Sequence, residues 1–547
     1  MFGVFGGLSL PVGTDPERER PPPTAPTPID FPIYNLPDPT EEDAESALKD
    51  LYNDLITIKR PQDITPSRFR AFNLKVESEV PASRIVRHDT TSSVRPLPWE
   101  DNTAGEGDQN GQPALMGNDN RYPDKERFET LRNELLIEND DGFREVSRMP
   151  PREGRQRVRI AQTRKFWAGF ERMALYWDTS LDHYFERPAT PEPQPEDKGD
   201  KMQTDDENTQ TSERNPSMDI DQPAQTNGNG TNDDPGSRTP VERYTGRRVG
   251  AGHEMPEDAR EETVRAFVEM TAWPFGCQVS IPTIPPRLAV KTLLFPVRMT
   301  FETGRSPKDR TQARSGVLEG PVFVGQCRSE TAFRTPEENP GSGIGDAGDV
   351  FREVGAMLLA AQERARDGVT DVRPGEGQWW TTAPRWGGGT SEGSEGEHHT
   401  EEDSNSNHEK EKPHKRSKYD HPFLALRRPR RMSNADRWKA VQPGPSLWEK
   451  RMKYMQIGKT VGSLYDDIYM VSSINHHISI LHLRVHRRYL EIVTTGESDC
   501  TTDSDEDQPW YELKLRRTRW YDFFEAKDRV EAFEGVWRIF HYTLRKV

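Results

Sequence analysis

The residue pattern best suited to catalysis in this chain is Glu512-Leu513-Lys514. In metal-dependent nucleases a carboxylate holds Mg²⁺, and a nearby lysine steadies the attacking water. Asp499 and Asp505 lie upstream and are candidates for a second acidic metal ligand. The pattern therefore suggests phosphodiester hydrolysis as a hypothesis.

A second, looser set of residues fits the same chemistry. Asp309, Glu319 and Gln326 lie before or within a predicted strand, Val317–Arg328, and a helix follows this strand in the order of the same nuclease core. This set lacks a lysine on the strand, and the first set lacks an acid on a predicted strand. An exposed strand also alternates glutamate and lysine without any catalytic role. We therefore assign no catalytic residue and keep a divergent or inactive nuclease-like enzyme as an alternative function.

One segment is rich in histidine, the commonest metal-binding side chain. Its members are His476, His477, His482 and His486. Side chains four residues apart on a strand stand about 13 Å apart, whereas one metal ion needs both nitrogens within about 2.1 Å. No cysteine or paired carboxylate is close in sequence. We therefore predict ordinary exposed or half-buried histidines, no metal site and no cofactor.

A basic stretch between residues 412 and 431 is suited to binding acidic surfaces. It holds two clusters: Lys412, Lys415, Arg416 and Lys418, then Arg427, Arg428, Arg430 and Arg431. Paired clusters of this kind are typical of nuclear-import signals, and they also contact phosphates without sequence preference. A third interpretation is a solvated run that balances the neighbouring acid. We favour nuclear import and a protein partner over a nucleic-acid partner.

Three tryptophans, Trp379, Trp380 and Trp386, precede a run of glycines. Such side chains stack on bases or on proline-rich ligands, but they more often cover a core. The run Gly387–Gly389 has no lysine and no helix after it, so it does not predict a phosphate-binding loop.

The strongest predicted helix spans about residues 164 to 186. Large apolar side chains recur there at steps of three and four: Phe166, Trp167, Phe170, Met173, Ala174, Trp177, Leu181, Tyr184 and Phe185. An aromatic stripe of this size must be buried. Its partner lies elsewhere in the chain or on another protein, so a partner-dependent helical assembly is a further alternative.

Helices and strands then alternate in the patterns of a mixed fold. A helix over Pro256–Trp273 precedes three strands, Phe275–Ile281, Leu288–Phe301 and Val317–Arg328, and Asp349 caps the next helix. Two further strands, Ile478–Val485 and Tyr511–Leu515, precede a last helix that Asp522 and Glu525 cap. These patterns predict an α+β fold: one discontinuous domain with a small sheet flanked by amphipathic helices and interrupted by long disordered acidic tethers.

The tethers divide the chain into blocks. Residues 188–242 and 387–420 contain few large apolar side chains, so they cannot offset the entropy of ordering. Residues 1–120 are predicted to be mostly disordered, with one helix near 40–58. The remaining blocks are an aromatic-rich helical segment at 121–187, an α+β core at 243–386, and strands with a C-terminal helix at 421–547 that complete this core.

The amino-acid composition indicates the cellular compartment in which the protein is expected. The 547 residues are 32% hydrophobic and 30% charged, with a formal net charge of −16. Such a charge disfavours general nucleic-acid binding. The three cysteines form no CxxC pair, and no apolar run is long enough to span a bilayer. We therefore expect an intracellular protein without membrane association, and the basic stretch places it in the nucleus.

Several segments resemble a known family. TVRAFVEMTAWPFGCQVS, RSPKDRTQARSGVLEGPVFVGQCR and GEGQWWTTAPRWGGG are similar to a family of uncharacterised proteins from filamentous fungi, as are KFWAGFERMALYWDTSLDHYFE and NHHISILHLRVHRRYLEIV. The resemblance covers most of the ordered blocks and none of the tethers. It implies a genuine fold over residues 243–386 and no catalytic residue, because the family has no assigned activity. The function we expect is that of an interaction or scaffold protein.

Overall fold

The computed structural model describes residues 15–34, 44–58, 71–86, 97, 99, 115–187, 240–282, 286–291, 293–341, 344–366, 453–500 and 508–547. These residues belong to two compact units. The large unit lies within 25–178 and 248–547, and the small unit lies within 14–24 and 179–247. The predicted tethers, apart from Pro240, Val241 and Glu242 at the start of the small-unit strand, fall outside the described residues.

A mixed sheet forms the centre of the large unit. The described strands are β1 (Leu74–Glu77), β2 (His183–Arg187), β3 (Val241–Thr245), β4 (Cys277–Ser280), β5 (Arg287–Val290), β6 (Leu293–Pro296), β7 (Phe301–Arg305), β8 (Val317–Arg328), β9 (Lys453–Met455), β10 (Tyr465–Ile474), β11 (His477–His486), β12 (Leu513–Arg517) and β13 (Tyr521–Asp522). Nine of them join in the order β1-β12-β11-β10-β8-β7-β4, with β13 beside β11 and β9 beside β8. The predicted α+β class is confirmed.

Helices cover both faces of this sheet. They are α1 (Ala44–Thr57), α2 (Lys125–Leu135), α3 (Asn139–Val146), α4 (Arg164–Trp177), α5 (Glu257–Ala272), α6 (Arg310–Arg314), α7 (Ile344–Ala365), α8 (Arg487–Thr495) and α9 (Ala526–Thr543). Side chains of α2, α4, α5 and α9 form one apolar cluster against the sheet. Those of α1, α7 and α8 form a second cluster on the other face. Because strands alternate their side chains, the central strands supply residues to both.

The C-terminal segment completes the sheet that begins in the middle of the chain. Strand β10 runs parallel to β8 and antiparallel to β11, with Met470 opposite Val324 and also opposite Leu481. Strands β10 and β11 meet at a two-residue turn, in which Asn475 has φ 53°. Asparagine tolerates this left-handed conformation better than most residues, so the sequence fixes where the hairpin reverses.

Buried ion pairs hold α7 to the end of β8. Arg328 is fully buried and pairs with Asp349 and with Glu353, the latter at 3.2 Å. Arg517 of β12 also reaches Glu353 at 3.2 Å. Two cations therefore meet two carboxylates away from water, which is the condition under which buried charge is tolerated. Asp349 consequently lies within α7 and does not cap it, contrary to the sequence prediction.

The aromatic helix is shorter than its sequence pattern indicates. Helix α4 ends at Trp177, and Phe166, Trp167 and Phe170 are fully buried in the large unit's own core. The last two aromatic positions of the pattern, Tyr184 and Phe185, lie instead in β2 of the small unit, where β2 pairs antiparallel with β3. The helical spacing of apolar residues therefore ends where the chain passes from the large unit to the small unit.

Other predicted elements also need correction. The single strand predicted over Leu288–Phe301 is broken, because Lys291 turns the chain at φ 51° and β5 pairs with β6. Asp522 does not cap α9 but accepts the Phe524 N–H at 2.8 Å. Within residues 1–120 the structure also has β1, which the sequence analysis did not predict and which adds a parallel edge strand to β12.

None of the helices in the described residues is both long enough and apolar enough to cross a membrane.

Candidate functional site

A polar pocket opens beside the loop that leads into β10. Its volume is about 440 Å³. The residues that line it come from four places: Gly117 before α2, the ends of β7 and β8, the loop 456–463, and the chain after α9. We call it the cationic pocket, because its charged lining residues are Arg305, Lys459 and Arg545 together with Glu319.

Hydrogen bonds and an ion pair hold the loop 456–463 of the cationic pocket in place. Arg364 of α7 donates to the Ile457 carbonyl at 2.7 Å and pairs with Asp466 at 2.7 Å. Gln456 donates to the same Asp466 carboxylate at 3.0 Å. These bonds place Lys459 at the pocket wall without using its ammonium group.

Gly458 allows this loop to approach the end of α9. Its φ is 73°, and a Cβ atom there would lie 2.1 Å from the Thr543 carbonyl oxygen. Both the left-handed backbone and the close approach require glycine. The residues Gly458-Lys459-Thr460 precede a strand and not a helix, so the loop lacks the helix N-terminus of a nucleotide-binding phosphate loop.

Positive charge exceeds negative charge in the cationic pocket. Glu319 is the one side-chain carboxylate among the described lining residues, and Arg305 engages it at 2.6 Å. Arg545 donates to the Thr460 hydroxyl at 3.1 Å, a neutral acceptor. Within the described part of the chain, Lys459 has no ion-pair partner.

Two further lysines are close in sequence to residues that line the pocket. Lys308 and Lys546 both approach the single carboxylate Asp119, at 3.2 and 3.3 Å. Their hydrogen bonds and charges hold the pKa of Asp119 below its usual range. Two cations that share one anion leave a net positive charge, which extends the attraction for an anionic ligand beyond the pocket itself.

The carboxylates of the looser nuclease set do not converge. Asp309 is exposed and caps the short helix α6, and Glu319 is paired with Arg305. Gln326 donates to the Arg298 carbonyl at 2.9 Å. Glu319 and Gln326 are also about 23 Å apart along one strand. No shared metal ion can contact both.

The acid-x-lysine pattern is equally dispersed. Lys514 lies on β12 and faces Glu77 at 3.8 Å, while Glu512 is half-buried just before the strand. Asp499 is exposed after α8, and Asp505 lies outside the described residues. The structure therefore brings together no pair of acids from this set.

His482 pairs with Asp467 and has a structural role. Its Nε2 lies 2.7 Å from Asp467 and its ring stacks on Tyr469 at 4.8 Å between centroids. Burial lowers the pKa of His482, and the bond to Asp467 opposes this shift. Although burial works against it, the hydrogen bond and charge of His482 hold the pKa of Asp467 at about 2. His482 is buried and Asp467 is half-buried, and their pairing joins β11 to β10.

The other two histidines of the motif meet a carboxylate. His476 and His477 lie at the β10–β11 turn, and β13 pairs with β11 so that Asp522 stands opposite His477. We call these three residues the hairpin cluster. Its three ligand-type atoms all lie within 4.8 Å of one another. Sequence reasoning missed the cluster because Asp522 is distant in sequence and appeared to be a helix cap.

The nuclear-import residues and the three tryptophans Trp379, Trp380 and Trp386 lie outside the described residues, so their predicted roles stay predictions. The sequence of loop 456–463 does carry a signal for an anion-binding loop, because two glycines flank a lysine and a threonine. The two arginines of the pocket gave none, because the sheet brings them together from distant segments.

The chain matches no protein-family model, no curated protein and no solved structure. Its resemblance to the fungal family therefore stays a prediction.

Proposed function

We propose that the chain is an interaction protein of the nucleus whose large unit binds an acidic or phosphorylated segment of a protein partner in the cationic pocket. The observation that carries this proposal is the charge of the lining. Arg305, Lys459 and Arg545 line one pocket, and Glu319 neutralises one of them. A concave site with surplus cations and hydroxyl groups is suited to carboxylate and phosphate ligands.

The size of the pocket supports a side chain or short segment as ligand. A pocket of about 440 Å³ lies in the range of small-ligand sites. Thr460 and Ser463 lie along the same wall, and the Thr460 hydroxyl accepts from Arg545, which holds that cation at the pocket. Because Lys459 has no described ion-pair partner, it is free to meet the ligand's charge.

The proposal is tested by titrating the full chain into fluorescent peptides. One peptide carries a phosphoserine, a second carries glutamates, and a third is neutral. We expect binding of the first two, weakening with added salt as screening increases. Lys459→Glu replaces an attraction with a repulsion, so we expect it to weaken binding by about tenfold or more.

Lys527→Glu is the matched control. Lys527 is exposed on α9 and lies outside the pocket lining, so the same charge change should leave the affinity unaltered. Equal loss in both variants would indicate attraction by total charge and would refute the pocket. Tight binding of single-stranded DNA or RNA that also depends on Lys459 would replace a protein partner with a nucleic-acid partner.

The two alternative functions have less support. The nuclease-like enzyme was motivated by carboxylates, and those in the described residues lie apart or are paired with cations. The helical assembly was motivated by an aromatic stripe without a partner. Phe166, Trp167 and Phe170 pack inside this chain, so the stripe requires no second protein.

A further inference from the structure

We propose that the hairpin cluster, His476, His477 and Asp522, binds a divalent transition-metal ion. The site is independent of the cationic pocket. It joins the β10–β11 turn to β13, so a bound ion would cross-link the centre of the sheet to the segment that leads into α9.

The spacing of the cluster fits an ion better than hydrogen bonds. His476 Nε2 lies 3.9 Å from one Asp522 oxygen, and His477 Nε2 lies 3.7 Å from the other. Both distances are too long for hydrogen bonds. Two atoms that each lie about 2.1 Å from one tetrahedral ion are about 3.4 Å apart, so each gap would close by about 0.5 Å or less around a shared ion. The widest gap in the cluster is at most 4.8 Å and would close by about 1.4 Å or less.

The two imidazoles carry unused nitrogen atoms. Nδ1 of His476 and Nδ1 of His477 are buried and have no hydrogen-bond partner in the described structure. A buried polar atom without a partner is costly, and it marks a place where an unseen ligand would be favourable. A half-turn of either ring about its Cβ–Cγ bond exchanges Nδ1 with Cδ2 and Nε2 with Cε1, so ring rotation changes which atoms face the carboxylate.

The residues around the two imidazoles keep these rings neutral and still leave the cluster accessible to ions from solvent. Rings of Trp177 and Phe31 lie 4.8 Å from those of His476 and His477 respectively. Burial lowers the pKa of His477 to about 4, so this ring is neutral at neutral pH and one of its nitrogens has a free lone pair. The Asp522 side chain is 29% exposed, which opens the cluster to ions from solvent.

The donor set selects the class of ion. Two imidazoles and one carboxylate suit Zn²⁺, Co²⁺, Ni²⁺ or Fe²⁺, whereas Mg²⁺ and Ca²⁺ prefer oxygen alone. Three protein ligands leave at least one position for water. Because the Nδ1 atoms lack the second partner that usually orients a metal-binding histidine, we expect micromolar and not tighter affinity.

The test is calorimetric titration of metal-stripped full chain with Zn²⁺, together with the visible absorption of the Co²⁺ form. We expect one ion per chain, a higher melting temperature with Zn²⁺, and Co²⁺ bands typical of nitrogen and oxygen ligands. His477→Gln should weaken binding at least tenfold. Asp522→Asn should do the same and still fold, because its amide oxygen can accept the Phe524 N–H.

The matched control is His183→Gln, which removes an exposed histidine of the small unit. Its affinity should equal that of the parent chain. Absence of Zn²⁺ binding at micromolar concentration would overturn the proposal. So would binding that survives both cluster variants, because the ion would then sit elsewhere.

Discussion

Glu302 is the clearest case of a single residue in an unfavourable setting. It is 1% exposed, and one of its carboxyl oxygens, Oε2, has no hydrogen-bond partner in the described structure. Burial raises its pKa to about 8, although side-chain bonds from Tyr454 and Ser280 oppose the shift. The folded chain therefore keeps this carboxyl group protonated at neutral pH.

A pH dependence of stability follows. Between the ordinary glutamate pKa and about 8, the folded state holds a proton that the unfolded state has released. The free energy of unfolding should therefore fall as pH rises through this window, by up to about 1.4 kcal/mol per pH unit from this group. Glu302→Gln removes the titrating group and should flatten this part of the profile.

Urea unfolding at pH 5.5, 6.5 and 7.5 measures the effect in both proteins. The difference in stability between the variant and the parent chain should grow with pH. A constant difference would mean that Glu302 is already ionised in the folded chain.

Residue by residue, the sequence predicted what local spacing controls. The strand Val317–Arg328 and the side chains of β11 that share a face were predicted correctly. The hairpin cluster and the cationic pocket were not, because each depends on strands that meet from distant segments. Spacing along the chain carries no information about such pairs.

Arg529 shows how one side chain joins several elements. It lies fully buried in the first turn of α9 and donates to the carbonyls of Leu135, Ile137 and Phe523. Those residues belong to the end of α2, the turn after it and the segment after β13. Burial lowers the pKa of Arg529 to about 10, which still leaves it charged at neutral pH.

Arg529→Ala should therefore separate these elements. It would leave three carbonyl groups without their donor, at least two of them buried, and a cavity beside the rings of Trp167 and Phe170. We expect a loss of about 3 kcal/mol or more in the free energy of unfolding, measured by urea. Lys527→Ala, an exposed position on the same helix, should change it by less than about 0.5 kcal/mol. Equal effects in the two variants would contradict this account of Arg529.

Among the elements, the helices with a long, regular spacing of apolar residues were predicted best. Helix α5 lies within one residue of the predicted limits, because Pro256 and Pro274 bound its apolar stripe. Strands β1, β9 and β13 were missed because they have two to four residues and their order comes from pairing at the sheet. Local propensity cannot specify such strands.

For the whole molecule, we predict that the basic stretch controls the location of the protein in the cell. A fluorescent fusion of the full chain should accumulate in the nucleus. Replacing Lys415, Arg416, Arg428 and Arg430 together with alanine should move it to the cytoplasm, because both clusters lose half of their cations. Cell imaging of the two fusions provides the measurement. A parent fusion that stays cytoplasmic would contradict the nuclear part of the proposal.

The central claim is that the cationic pocket is where the protein meets its partner. Hydrogen–deuterium exchange of the full chain, with and without a saturating phosphoserine peptide, locates the contact directly. We predict slower exchange in loop 456–463 and in residues 544–547, and no such change in Lys459→Glu. Protection confined to residues 412–431, or none near the pocket while the peptide is bound, would contradict the claim.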